Sequence, residues 1–157
     1  MNWILYGVLL LLLFLVQVLW KHEGWLGGCP DLLLAAALGL ALFGRPRQSF
    51  FLVLPAAALR AGFSLEPAFF VLAGFLLAAF LLQEIRRWVF PERAEIQFGL
   101  AFLVAFAFFT LGEFAAGGRA VPWRQAVWSA VLTALFVPLL CGLLRSLPAM
   151  RRLLVQR

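Results

Sequence analysis

Six apolar runs divide the chain, each closed by a short segment carrying charges, glycine or proline. They cover residues 2–20, 30–44, 49–63, 67–85, 96–114 and 123–144. A helix needs ~20 apolar residues to cross ~30 Å of hydrocarbon. Four runs approach that length, and two (30–44 and 49–63) fall short. The pattern predicts an all-α polytopic membrane protein in one domain over 1–157, with about six transmembrane helices, two of them short.

The first run is uninterrupted aliphatic and Phe from Leu9 to Val16, with Trp3, Tyr6 and Trp20 toward its ends, where amphipathic rings prefer the interface. Gln17 is the strongly polar side chain of its second half. Two readings stand: a helix–helix hydrogen bonder, or an interface residue one turn from the end, which is the expectation. No basic segment precedes the run, and Lys21-His22-Glu23 follows it instead of a small-residue cleavage site. It reads as a retained span rather than a signal peptide. Trp25 follows as an interface anchor.

Gly27-Gly28-Cys29-Pro30-Asp31 leads into the second run. Proline suits a first helical turn because its missing N–H has no intrahelical partner there. Asp31 in that turn satisfies free amides and faces the positive end of the helix dipole, worth about 0.3–1 kcal/mol. The apolar stretch that follows, 32–43, makes only about 18 Å of helix. Gly44-Arg45-Pro46-Arg47-Gln48 ends it and starts the third run, inside which Pro55 predicts a kink or a local break. Runs two and three are either two thin spans or a re-entrant hairpin buried in protein, and two spans are expected. In the fourth run Gly74, Ala78 and Ala79 offer small residues for close helix contact, and Glu84 and Arg87 are spaced to pair. The fifth run is rich in phenylalanine and the sixth contains Pro138. Residues 147–157 form a basic tail with leucines at helical spacing, which predicts a short helix on the membrane surface.

Composition agrees with the pattern. Of the 157 residues 65% are hydrophobic and only 20 are charged, and mean hydropathy is +1.01, too little polar surface to wrap a water-soluble core. The net charge of +6 comes from arginines at the ends of apolar runs. It points to cytoplasmic loops and anionic lipid at the cytoplasmic face, not to nucleic acid. With the N-terminus inside, the inner segments hold nine Lys and Arg and the outer segments four. That places both termini in the cytoplasm, with the C-terminal segment from Arg145 onward supplying four of the nine.

No GxSxG, Walker loop or HExxH occurs. Cys29 and Cys141 lie 112 positions apart, and with a single histidine no metal or cofactor set is expected. The acids Glu23, Asp31, Glu66, Glu84, Glu92, Glu95 and Glu113 fall at or near run ends, within reach of water, with Glu113 the deepest. Arg60 is placed to face Glu113 or Glu66. A transporter normally carries a charge in mid-span, and none is visible. The residues therefore describe a compact bundle with no visible active site, one that binds either a small apolar or amphipathic ligand between its helices or other spanning helices.

Pro30-Asp31-Leu32-Leu33-Leu34 at the start of the second run resembles the MreD family of rod shape-determining membrane proteins. Gly62 falls at that family's glycine-containing turn after the third segment. Gly74 with Arg86-Arg87 resembles its glycine-bearing fourth segment ending in arginines, and Pro138 with Leu139-Leu140 and Leu144-Arg145 resembles its last. One departure is that family members often carry an acid near the third-segment turn, where the nearest charge here is Arg60. The resemblance implies a non-enzymatic subunit of the cell-elongation machinery in the bacterial inner membrane. Its partner would be MreC, a single-span periplasmic protein, with MreB and the peptidoglycan synthase and transpeptidase as indirect partners. It also implies a fold similar to the substrate-binding subunit of energy-coupling-factor vitamin transporters, so such a transporter subunit is the alternative; a lipid-directed membrane enzyme is a third. Candidate partner-contact or structural residues are Pro30, Asp31, Arg60, Gly62, Gly74, Glu113 and Pro138.

Overall fold

A computed structural model describes residues 3–23, 29–44, 46–63, 67–86, 88, 93–115 and 123–146. The six apolar runs become six α-helices: α1 (Trp3–Glu23), α2 (Leu32–Phe43), α3 (Pro46–Gly62), α4 (Ala68–Ile85), α5 (Ala94–Ala115) and α6 (Trp123–Ser146). No strand occurs among the described residues. Among the described residues three helices are long and apolar enough to cross a membrane: α4, α5 over Ala94–Gly112 and α6 over Trp123–Leu143. The tail 147–157, Trp25, Glu66 and Arg87 (with its spacing to Glu84) lie outside the described residues.

The short helix α2 is the centre of the bundle. All twelve of its residues are buried, and it touches each of the other five helices. Its sequence suits that place. It is apolar all round, the mark of a helix enclosed by others. Ala35, Ala36, Ala37, Gly39 and Ala41 also keep it thin enough for neighbours to approach.

The helices alternate in direction, as a few contacts show. Tyr6, near the start of α1, donates its hydroxyl to the Leu52 carbonyl in the first half of α3. Arg60, near the end of α3, reaches Asp31 at the start of α2. Arg86, just past α4, reaches Gly44 at the end of α2. The helix α6 runs parallel to α2 in steady register, with Thr133 against Asp31 and Cys141 against Gly39, eight residues on in both helices. The α2–α3 turn thus lies level with the far end of α4, a helix of span length.

Two local expectations change. Pro30 lies outside α2, one residue before its cap, rather than in the first turn. Pro55 does not break α3, which runs on from Pro46 to Gly62. Proline deprives the Phe51 carbonyl of its amide donor, and the Tyr6 hydroxyl bonds the neighbouring Leu52 carbonyl in that disturbed turn.

Phe98, Phe102 and Phe106 stack along α5 at ring separations of 6.4 and 6.0 Å, and Trp123 closes the row from α6. In contrast α4 and α5 diverge. Their contact centres on Gly74, where an added Cβ would come within 2.8 Å of the Phe108 ring. Beside it lies an apolar groove of about 450 Å³.

Candidate functional site

An isolated helix start leaves four backbone amides without partners. The centre of an apolar bundle is a costly place for them, since each unpaired amide costs about 1–3 kcal/mol there. At the start of α2 every amide has a partner. Asp31 N–H donates to Thr133 Oγ1 of α6 at 2.9 Å. Leu32 and Leu33 N–H both donate to Gln17 Oε1 of α1, at 3.1 and 3.3 Å. Leu34 N–H donates to Asp31 Oδ1 at 2.9 Å, the N-cap bond, and Ala35 N–H begins the intrahelical ladder on the Asp31 carbonyl.

Asp31 Oδ2 takes the remaining partner. Arg60 Nε of α3 donates to it at 2.6 Å. Asp31 is 2% exposed and the Arg60 side chain 18%. One carboxylate therefore caps the central helix through one oxygen and fastens α3 through the other. Its charge also complements the positive end of the α2 dipole.

The opposite end is finished with the opposite sign. Gly44 N–H and the Ser49 hydroxyl both donate to the Leu40 carbonyl, at 2.6 and 3.1 Å. Arg86 Nη1 donates to the Gly44 carbonyl at 2.8 Å, which puts a cation at the negative end. Gly44 is extended, with φ −70° and ψ 159°, so its need for glycine is spatial. A Cβ there would meet the Leu40 carbonyl oxygen at 2.5 Å and the Ser49 hydroxyl.

The pair is deep along the bundle. Thr133 lies ten residues, about 15 Å of helix, inside the Trp123 end of α6, and thirteen residues, about 20 Å, from Ser146. The first ten residues of α6 thus extend past the start of α2. This corrects the expectation that every acid sits where water reaches it: Asp31 is buried level with the middle of the longest helix.

Of the seven candidate residues, the structure brings together Pro30, Asp31 and Arg60. Arg60, expected to face Glu113 or Glu66, pairs with Asp31. Glu113 falls in the last turn of α5, with its side chain outside the described residues. Gly62 ends α3 in open space, with nothing within 4 Å of where a Cβ would stand, so no packing requires a glycine there. Gly74 serves the α4–α5 contact, and Pro138 lies five residues past Thr133, partly buried in an unbroken α6.

Sequence reasoning missed Thr133 and gave Gln17 the wrong role, since Gln17 is a helix bonder. Thr133 carried a readable signal. It follows Ser129 by four residues, one face of α6, and both are buried. What the cluster can do chemically is hold helices together. Both Asp31 oxygens are engaged in this, one on the Leu34 amide and one on Arg60. No family model, no curated protein and no solved structure matches the chain.

Proposed function

We propose that this chain is a non-enzymatic, multi-pass subunit of the bacterial cytoplasmic membrane, both termini inside, that binds MreC and helps organise peptidoglycan synthesis and cell shape as an MreD-like member of the rod-shape complex. MreB and the peptidoglycan synthase and transpeptidase are its indirect partners. The observation that carries the reading is the place of Pro30-Asp31-Leu32-Leu33-Leu34. The residues on which the likeness rests are the ones that start and cap the central helix.

Two further features support it. Large apolar side chains turn outward on α1, α4, α5 and α6, as lipid or neighbouring spans require. The polar groups at both ends of α2 are spent on internal bonds, which leaves a framework whose outer faces are its binding surfaces. The transporter-subunit alternative gains less. The α4–α5 groove is lined by apolar side chains, whereas a vitamin-type site needs a few converging polar groups.

Removing the gene from its host cell tests the reading. Cells are expected to round up and to recover their shape when the full chain is supplied. Retained rod shape, with loss of uptake of a small molecule, would favour the transporter subunit instead.

A further inference from the structure

We propose that the groove between α4 and α5 holds one acyl chain of a bilayer phospholipid as a resident ligand. The inference rests on the membrane placement of the bundle and is independent of its protein partner.

The lining is apolar throughout: Ala73, Leu77 and Leu81 on α4, and Leu103, Ala107 and Leu111 on α5 form its walls. No charged side chain and no side-chain hydrogen-bonding group lies among the residues that line it. The floor is Phe108, which is 4% exposed and lies against Gly74, with Phe75 edge-on at 5.5 Å. Sequence-adjacent helices that part around an unfilled apolar groove forgo the dispersion contacts a filler would supply.

Size selects the filler. On α4 the groove runs from Phe69 to Leu81, twelve residues or about 18 Å of helix. Half of a ~30 Å hydrocarbon core is ~15 Å, so the groove matches one leaflet rather than the whole bilayer. A partner span would follow the full thickness.

Photolabelling tests the proposal. The full chain is reconstituted in phosphatidylcholine–phosphatidylglycerol vesicles that contain a phosphatidylcholine with a diazirine on its acyl chain, and labelled sites are mapped by peptide mass spectrometry. Labels are expected to concentrate on the groove peptides around Ala73, Leu77 and Ala107, above the outward positions Leu12 and Leu139. In Ala73→Trp/Ala107→Trp, which fills the groove from two exposed positions, groove labelling is expected to fall to the outward level while Leu12 and Leu139 are unchanged. Equal labelling of groove and outward faces in the wild-type chain overturns the proposal. So does groove labelling that survives filling, or a dimer that filling converts to monomer, which would assign the groove to a second copy. If the double variant loses its helical circular dichroism, the wild-type ratio of groove to outward labelling decides alone.

Discussion

Arg60 Nε lies 2.6 Å from Asp31 Oδ2, and the other oxygen of the same carboxylate caps α2 on Leu34 N–H at 2.9 Å. One buried side chain thus joins the end of α3 to the start of the central helix. Leaving a buried charge without its partner costs about 3–5 kcal/mol, far more than an exposed pair contributes.

Asp31→Ala removes both bonds and is expected to destabilise the bundle by about 3–5 kcal/mol. Asp31→Asn keeps a capping oxygen, so it should cost about 1 kcal/mol less than the alanine variant. Adding Arg60→Gln to Asp31→Asn should recover part of the loss, because no buried charge is then left alone. Unfolding of the single and double variants beside the wild-type chain in mild detergent gives the coupling energy. Additive losses would mean that the pair does not act as a unit.

Thr133→Val keeps the shape but leaves Asp31 N–H without an acceptor, an expected loss of about 1–3 kcal/mol. Thr133→Ser retains the oxygen and should restore most of it. Gln17→Leu strands the amides of both Leu32 and Leu33 and should cost more than Thr133→Val in the same unfolding assay.

Three glycines should rank by space. Gly44→Ala drives a Cβ toward the Leu40 carbonyl and should destabilise most. Gly74→Ala pushes the Phe108 ring aside, at about 1–3 kcal/mol. Gly62→Ala meets nothing and should be neutral or stabilising by up to about 1 kcal/mol. Melting temperatures of the three variants check the order. A reversal of Gly44 and Gly62 would contradict the close packing at the end of α2.

The parallel register of α2 and α6 brings Cys141 Sγ to 3.2 Å from a Cβ at position 39. Gly39→Cys in a Cys29→Ser background is therefore expected to close a disulfide with Cys141 under mild oxidation. Reducing and non-reducing gels show it as a mobility shift. Its absence under exhaustive oxidation would argue against this register.

The element pattern was legible in the sequence because apolar runs and their glycine, proline and arginine stops are local signals. The Asp31 cap was legible for the same reason, since it bonds Leu34 only three residues on. Its other contacts were not. Arg60 is 29 residues away and Thr133 is 102. Nothing in a bundle apolar on its outward as well as its inward faces tells which helices meet. Gln17 shows the limit well. Its polarity stood out, but a residue six positions from the end of α1 reads equally as interface or as helix contact until α2 is placed beside it. The central position of α2 had a signal in its shortness and its small residues, although thin spans share both.

Affinity capture of the full chain from membranes of its own host tests the functional claim most directly, with co-purifying proteins identified and bound small molecules measured. Recovery of MreC in constant ratio to the chain is the expected result. A chain that never captures MreC, and instead retains a vitamin-like molecule at one per chain, would contradict it.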